Sequence, residues 1–262
     1  MDPFAGRVAV VTGAASGIGA ALCRELCRRT AIVYAADVNE QGLAQRAADA
    51  ADATLHTKVV DVTEEASVMA LLDEAAAEQG RLDYVFNNAG IVVGGNFEDM
   101  DPTAWRKIVD VNLWGVVHGT QRAYAVMRRQ GHGHIVNTAS TAGVLPVARS
   151  TAFAATKHAV VGLSTSLREE GRRHGIRVSA VVPGLIDTNI FAAATTVGGH
   201  DYAAAIERVP LGKISPAQAA DHILAGVAKN KALIVFPASN RVIVGLHRVM
   251  PRFTGRVVNR RT

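Results

Sequence analysis

The chain has 262 residues, a net charge of +5, and 49% hydrophobic against 19% charged residues. This length and composition fit a globular protein of one large or two small domains, and they exclude a disordered chain, a collagen and a disulfide framework. The chain has no uncharged apolar run of about 18 residues and no leader with a basic start and a long apolar stretch, so we expect a soluble, cytoplasmic protein.

Short apolar runs alternate with helical patterns along residues 1–236. The runs show no alternation of apolar and polar residues, which predicts strands buried on both faces of a parallel sheet that helices cover. We therefore predict an α/β fold with a single domain at residues 1–236, followed by a basic tail at residues 237–262. The predicted strands are residues 7–11, 31–36, 55–60, 82–86, 134–138, 176–182 and 233–236, and the predicted helices are residues 17–29, 41–51, 64–79, 105–130, 151–174 and 216–228.

A glycine-rich turn joins the first predicted strand to the first predicted helix. Glycines in this context permit a tight turn, the approach of a pyrophosphate to the backbone and close helix packing, while the helix N-terminus offers free N–H groups. The turn therefore predicts a dinucleotide-binding site. Its candidate cofactor-binding residues are Gly13, Ser16, Gly17, Ile18 and Gly19.

Asp37 ends the second predicted strand, 18 residues after Gly19. An acid at this position hydrogen-bonds ribose hydroxyls and repels a 2′-phosphate. The neighbouring Ala14, Ala15 and Val38 supply no cation for such a phosphate. We therefore predict NAD rather than NADP as the cofactor, against the alternative that Asp37 is a solvated acid at a strand end.

The next two strand ends add further candidates. Asp61, followed by Val62, ends the third strand, where its carboxylate could bond an adenine amino group. Asn88, Ala89 and Gly90 follow the fourth strand, and small residues with amides suit a backbone that passes close to a ligand. Alone, this segment could also be a simple turn.

The order of the motifs resembles the short-chain dehydrogenase/reductase family. The shared pattern covers residues 7–236 and comprises TGAASGIG at 12–19, Asp61, NNAG at 87–90, Asn112, Ser140, Lys157 and Pro183-Gly184. The resemblance implies a Rossmann-type doubly wound sheet of about seven parallel strands. It also implies hydride transfer between a nicotinamide and an alcohol or ketone, and a homodimer or homotetramer.

The resemblance also implies roles for individual residues. Ser140 hydrogen-bonds the substrate oxygen, and Lys157 holds the nicotinamide ribose and supplies positive charge. Asn112 binds a water that links Lys157 to solvent. The residues implied to frame the nicotinamide are Pro183, Gly184, Ile186 and Thr188.

One catalytic position departs from the family pattern. The family has a tyrosine four residues before the lysine, where this chain has Phe153. The ammonium one helical turn away would lower the pKa of such a phenol from about 10, so that it could act as general acid and base. Phe153 has the ring without the oxygen. Of the other tyrosines only Tyr202 lies in the expected substrate loop, and we expect His158 to face away.

Two interpretations of Phe153 remain open. In the first, the chain is an NAD-dependent dehydrogenase carrying an inactivating Tyr-to-Phe substitution that traps ligands. In the second, it is a natural non-catalytic NAD-binding protein with a regulatory or scaffold role. Ser140, Asn112 and Lys157 all remain around one missing oxygen, and this favours the first interpretation.

We expect an apolar substrate, such as a steroid or another lipid-like alcohol or ketone. The loop at residues 185–214 is largely small and apolar, and no arginine cluster offers a clamp for a carboxylate or phosphate. Arg149 could contact a polar end of the substrate. The residues expected to line the substrate site are Val93, Thr141, Gly143, Val144, Phe191, residues 192–194, Val197, Tyr202 and Ile206.

Positive charge is concentrated near the C-terminus. Residues 222–262 contain eight Lys or Arg and no Asp or Glu, whereas residues 1–221 contain 20 basic and 23 acidic residues. A nucleic-acid-binding protein more often spreads its basic residues over the fold, with aromatic residues among them. We therefore expect no nucleic-acid partner. The spacings of Cys23–Cys27 and His132–His134 also lack a full ligand set, so we expect no metal.

The segment at residues 241–262 mixes apolar residues with six arginines. One interpretation is an amphipathic segment that rests on an anionic membrane. The other is a segment packed on the domain or on a neighbouring subunit, with its arginines in water. Pro251 and two glycines weaken a continuous helix, and we favour packing.

Overall fold

The computed structural model describes residues 2–50, 54–199 and 212–259. Its strands are β1 (Val8–Thr12), β2 (Ile32–Asp37), β3 (Leu55–Val59), β4 (Tyr84–Asn87), β5 (Val93–Gly94), β6 (Gly133–Thr138), β7 (Ile176–Pro183), β8 (Thr195–Thr196) and β9 (Leu233–Phe236). Its helices are α1 (Gly17–Arg28), α2 (Glu40–Ala50), α3 (Glu65–Gln79), α4 (Pro102–Val109), α5 (Gly115–Gln130), α6 (Thr151–Gly171), α7 (Pro216–Ala228), α8 (Ala238–Val249) and α9 (Pro251–Val258).

Seven parallel strands form the central sheet in the spatial order β3-β2-β1-β4-β6-β7-β9, which confirms the predicted fold class. The chain order reverses direction between β1 and β4, because β2 and β3 lie on one side of β1 and the later strands on the other. Ligands of open α/β sheets bind where the strand order reverses, outside the carboxyl ends of the strands. The candidate residues gather at that place.

Helices cover both faces of the sheet because the central strands are apolar on both faces. In β1, Ala9 and Val11 belong to the core under α1 and α7, whereas Val8 and Val10 belong to the core under α3 and α5. All five residues of β1 are buried, as its unbroken apolar run predicts. Helix α6 packs beside α5, where Val160 contacts Val182 of β7.

The edge strand β3 corrects one expectation. Its residues are only partly buried, and the side chain of Val59 is 60% exposed. Strand β3 pairs with β2 alone, so no neighbouring strand covers its outer edge. Burial on both faces therefore holds for the interior strands and fails at this edge.

The predicted long helix at residues 105–130 is wrong in its boundaries, since it begins earlier and is interrupted. Helix α4 begins at Pro102, where the side chain of Asp101 accepts a hydrogen bond from Ala104 N at 2.7 Å. A π-helical turn at Asp110–Trp114 then separates α4 from α5. Such wide turns inside helices often occur at functional sites. This one contains Asn112.

A second, two-stranded sheet lies beside the carboxyl ends of the main strands. Strand β5 pairs in parallel with β8, so that Val93 lies opposite Thr195. The pairing joins the segment after β4 to the segment after β7, and it fixes both next to the candidate site. None of the described helices is long and apolar enough to span a membrane.

The C-terminal segment forms two helices on the β9 side of the sheet. Helix α8 ends at Val249 and α9 begins at Pro251, so the proline interrupts the helix as its missing N–H predicts. The two glycines lie inside α8 and α9 and do not interrupt them. Asn240, Val244 and Thr254 form the buried side of the pair.

Candidate functional site

A cleft of about 470 Å³ lies at the carboxyl ends of the strands. It brings together most of the residues that the sequence predicted. Its lining includes Gly13, Ser16, Gly17, Ile18, Asp37, Asp61, Val62, Asn88, Ala89, Gly90, Ser140, Phe153, Lys157, Pro183, Gly184, Ile186 and Thr188. Of the predicted catalytic and cofactor-binding residues, Gly19 and Asn112 do not line it.

The glycine turn requires glycine because backbone segments cross within contact distance. A Cβ atom on Gly13 would lie 2.8 Å from the Cα of Ala89, and Gly13 has a φ of +68°. A Cβ atom on Gly19 would lie 2.0 Å from the carbonyl oxygen of Gly13. Gly19 thus packs α1 against the turn, which explains why it is absent from the cleft wall. The turn leaves the first N–H groups of α1 available to an anion.

Asp37 is held in place by two backbone donors at the end of β2. Its Oδ2 accepts a hydrogen bond from Ala15 N, and its Oδ1 accepts one from Asn39 N, both at 3.0 Å. The carboxylate thus lies beside the glycine turn at one end of the cleft. Lys157, at the other end, is the sole Lys or Arg among the described residues that line the cleft.

Two threonines that sequence reasoning missed fasten the strand ends together. Thr12 Oγ1 accepts hydrogen bonds from the backbone N–H groups of Asn88 and Ala89, at 3.0 and 3.1 Å. Asn88 Nδ2 donates to Thr12 O at 3.1 Å, and Thr138 Oγ1 donates to Asn88 Oδ1 at 3.4 Å. The side chain of Asn88 therefore bridges β1 and β6. The segment after β4 thus links these two strands at the cleft.

Ser140 lies where β6 ends and a short helical turn begins. Its Oγ accepts a hydrogen bond from Ala142 N at 3.1 Å. This bond uses a lone pair and leaves the hydroxyl hydrogen to donate into the cleft. The position fits a hydroxyl that orients an oxygen atom of a bound molecule.

Helix α6 carries Phe153 and Lys157 into the cleft on successive turns. Lys157 Nζ lies 5.7 Å from the centre of the Phe153 ring and donates to Thr138 O at 3.0 Å. Burial lowers the pKa of Lys157 to about 8, because removal from water disfavours the charged amine. The ammonium has two further N–H groups for other acceptors.

Asn112 is fully buried behind the cleft. Its Oδ1 accepts from Ile91 N at 2.8 Å, and its Nδ2 donates to Ile91 O at 2.9 Å. A Cβ atom on Gly90 would lie 3.2 Å from Asn112 Oδ1 and 3.4 Å from Lys157 Nζ, so Gly90 fits closely between the two. The side chain of Asn112 fixes this backbone, and its water-binding role stays a prediction.

No other described tyrosine replaces the oxygen that Phe153 lacks. Tyr34 bonds to Glu78, the hydroxyl of Tyr84 donates to Pro3 O, and Tyr124 packs edge-on against His174. None of the three lines the cleft. His158 is exposed, with Nδ1 beside Ala154 O, and it also lies outside the cleft, as expected. Tyr202 and Ile206 lie outside the described residues.

The substrate end of the cleft differs in detail from the prediction. The predicted residues that do not line it are Val93, Thr141, Gly143, Val144, Arg149, Ala192, Ala194 and Val197. Val92 and Val93 are buried in the same cluster, and of the two only Val92 lines the cleft. The apolar residues that do line this end are Ile91, Val92, Val111, Ile190, Phe191 and Ala193.

Known proteins share both the sequence and the fold. A cis-4-hydroxycyclohexanecarboxylate dehydrogenase of Sinomonas cyclohexanicum is 39% identical over 240 residues, which cover 90% of this chain and 95% of that protein. A levodione reductase of Leifsonia aquatica is 40% identical over 190 residues, or 71% of each chain. A short chain dehydrogenase/reductase of Burkholderia phymatum, crystallised in complex with NAD, has a TM-score of 0.88 and 29% identity, with coverage of 97% of this chain and 96% of that one.

The family assignment rests on extent as well as on motifs. The sequence pattern of the short chain dehydrogenases matches residues 7–197, from the start of β1 to the end of the small second sheet. This stretch contains the glycine turn, Ser140, Phe153 and Lys157. The chain therefore belongs to the short chain dehydrogenase family and shares its oxidoreductase fold.

Proposed function

We propose that the cleft binds NAD(H) together with an apolar secondary alcohol or ketone. The observation that carries this proposal is the arrangement of one cleft with a glycine turn and Asp37 at one end and Ser140 and Lys157 at the other. Gly13, Ser16 and Gly17 line the cleft at the N-terminus of α1, so a pyrophosphate can approach the backbone N–H groups there. The chain's residues thus fit the cofactor.

NAD is favoured over NADP by the charge at the ribose end. The Asp37 carboxylate, held by Ala15 N and Asn39 N, presents acceptors that suit two ribose hydroxyls. A 2′-phosphate there would meet this negative charge with no cation among the described lining residues at that end. The relative from Burkholderia phymatum was crystallised with NAD, which supports the same cofactor here.

Bound NAD accepts a hydride when an alcohol is oxidised, and NADH donates one in the reverse direction. The chain's own residues hold the substrate oxygen: the hydroxyl of Ser140 donates a hydrogen bond to it. With a pKa of about 8, Lys157 remains largely protonated at neutral pH, and its ammonium would hold the ribose of a bound nicotinamide cofactor. This ammonium would lower the pKa of a tyrosine at position 153, because it stabilises the negatively charged phenolate.

Proton transfer is the step for which Phe153 supplies no acid or base. Oxidation of an alcohol removes a proton from its oxygen, and reduction of a ketone must return one. The phenyl ring of Phe153 fills the wall of the cleft but has no atom to exchange a proton. Positioned acid–base groups accelerate such steps by about 10²–10⁴-fold. We propose that this chain binds both ligands and turns them over slowly.

The substrate class follows from the lining. Ile190, Phe191 and Val92 give the substrate end an apolar surface, and no Arg lines it among the described residues. One relative is named for a cyclic compound, a hydroxycyclohexanecarboxylate. A ring-containing secondary alcohol or ketone therefore fits best, with steroids as the larger members of the class.

The test is the Phe153→Tyr variant, assayed by NADH absorbance with a panel of cyclic secondary alcohols and ketones. We expect a gain of about 10²–10⁴-fold in turnover, with a rate of alcohol oxidation that rises at alkaline pH as the phenol ionises. Phe97→Tyr is the matched control, because it adds a phenol to an exposed ring away from the cleft. This control should leave the turnover rate unchanged.

A second candidate function has one observation in its favour. The only aromatic ring at the acid–base position lacks a hydroxyl, and no described tyrosine lines the cleft to supply one. A natural NAD-binding regulatory or scaffold protein would have this property. A Phe153→Tyr variant that stays inert over the whole panel, while NAD still binds, would favour this function over the dehydrogenase.

A further inference from the structure

The helices α8 and α9 expose an apolar surface that the described residues of the domain do not cover. Ten large hydrophobic side chains are exposed in the described part of the chain, and six of them lie within residues 242–257. We call these six the apolar ridge: Val242, Leu246, Val249, Met250, Phe253 and Val257. So dense a cluster on a short segment is unusual for a free surface, and such patches commonly mark interaction sites.

The ridge residues of α8 lie on one face of that helix. Val242, Leu246 and Val249 are spaced by four and three residues, which places them on one side of α8. Asn240 and Val244 are buried on the opposite side of the same helix. Packing on the described part of the domain therefore uses one face of α8 and leaves its other face exposed.

The ridge is presented rigidly. On α9, Thr254 is buried, and its hydroxyl lies 2.6 Å from His247 Nδ1 of α8, which joins the two helices. Beyond α9, Asn259 Oδ1 accepts from Ala148 N at 2.8 Å, and Asn259 Nδ2 donates to Pro146 O at 3.1 Å. The exposed apolar side chains are thus a fixed feature of the fold.

Arginines form a rim along the ridge. Arg248, Arg252 and Arg256 are exposed, and none of them makes an ion pair with another described residue. On α8, helical spacing places Arg248 to one side of the exposed apolar residues. On α9, it places Arg252 and Arg256 to the same side of the exposed apolar residues. Residues 222–262 contain no acid that could balance these charges.

We propose that this face binds the surface of an anionic lipid bilayer, with the apolar ridge among the acyl chains and the arginines at the headgroups. An apolar stripe bordered by cations is the composition of helices that lie in a membrane interface. A second copy of the chain suits the face less well. Two-fold pairing would bring two arginine rims together without an acid on either helix.

Vesicle flotation with the full chain tests the proposal. We expect the protein to float with vesicles of equal parts phosphatidylglycerol and phosphatidylcholine, and to stay behind with pure phosphatidylcholine. Raising the salt concentration should weaken the association, because surface charges are screened within about 10 Å at 0.1 M. NAD binding by calorimetry reports that each variant is folded, and its result does not depend on the lipid.

Two variants separate the parts of the surface. Val249→Ser with Phe253→Ser should weaken vesicle binding about tenfold or more, since it removes apolar area that would leave water. Arg252→Gln with Arg256→Gln should weaken it about 30-fold, given about one kcal/mol for each cation at an anionic surface. The matched controls change equally exposed residues elsewhere: Val59→Ser with Phe97→Ser, and Arg128→Gln with Arg129→Gln.

Three results would overturn the proposal. The first is failure of the chain to float with the anionic vesicles, and the second is flotation of the ridge variants equal to that of their controls. The third is a sedimentation-velocity result in which the parent binds no lipid and forms an oligomer that Val249→Ser with Phe253→Ser dissociates. In that last case the face is a subunit interface.

Discussion

The two ends of the cleft depend on different kinds of atoms. At the glycine turn, backbone contacts determine the residue type, because a Cβ atom at Gly19 would overlap the carbonyl oxygen of Gly13 at 2.0 Å. At α6, Phe153 packs in the cleft wall with 9% of its surface exposed, and only a side-chain oxygen is missing. The glycine-turn end depends on the close fit of backbone atoms, and the α6 end depends on which side-chain groups are present. Substitutions at the two ends should therefore affect binding and turnover separately.

The largest expected effect is the loss of stability and of NAD binding when a glycine at the cofactor end is substituted, compared with a glycine substitution elsewhere. Gly19→Ala forces a Cβ atom against Gly13 and Asn88, whereas Gly162→Ala in α6 meets nothing within 4 Å. We expect Gly19→Ala to lower the free energy of unfolding by about 1–3 kcal/mol and Gly162→Ala to raise it by about 0.5–1 kcal/mol. Urea unfolding of both variants measures the difference, and calorimetry should show that only Gly19→Ala loses NAD.

Equal stabilities for these two variants would contradict the close crossing at the glycine turn. Loss of NAD binding in both would mean that the effect is not local to the turn. Circular dichroism of each variant at low denaturant confirms that the comparison concerns folded proteins.

The lysine end should be visible in the pH dependence of stability. Burial lowers the pKa of Lys157 from 10.5 to about 8 in the folded chain. Between these two values the unfolded state binds more protons, so the free energy of unfolding rises with pH across that window. Below about pH 8 Lys157 is protonated in both the folded and the unfolded state, so it no longer makes the free energy of unfolding depend on pH. We expect a rise of about 2 kcal/mol between pH 7.5 and 10 relative to Lys157→Met.

Urea unfolding of the parent and Lys157→Met at several pH values measures this difference. Lys107→Met is the control, because Lys107 is exposed on α4. A parent and a Lys157→Met variant whose stabilities stay parallel over the alkaline range would show that Lys157 is not desolvated in the folded chain.

Within the cofactor end, Asp37 should set the choice between NAD and NADP by charge. We expect NAD to bind at least tenfold more tightly than NADP, or about 1.4 kcal/mol. Asp37→Asn keeps an oxygen for Ala15 N but removes the charge, so it should narrow the ratio. Asp37→Ala should narrow it further. Calorimetry with both cofactors measures the ratios, and equal affinities in the parent would refute the assignment.

The sequence predicted the sheet and the cofactor end because local patterns carry them. Unbroken apolar strands and a glycine turn between a strand and a helix are visible in a few neighbouring residues. The edge position of β3 is not local, since it depends on which strand pairs with which. The run at residues 55–60 carried part of the signal for its partial burial, because His56, Thr57 and Lys58 are polar.

The missed parts of the site arise from contacts distant in sequence. Thr12 and Thr138 matter because Asn88 reaches both, across separations of 76 and 50 residues. The π-helical turn around Asn112 accompanies bonds to Ile91, 21 residues away. A local signal did exist for the start of α4, because Asp101 followed by Pro102 is a typical helix cap.

The residue at position 153 should separate ligand binding from turnover. The most direct measurement is NADH affinity by calorimetry, together with the single-turnover rate of ketone reduction, in the parent and in Phe153→Tyr. We expect NADH affinities within about threefold of each other, a difference below about 0.7 kcal/mol. We expect rates that differ by about 10²–10⁴-fold. Equal rates in the two proteins, or a rate gain matched by an equal gain in NADH affinity, would contradict this role of position 153.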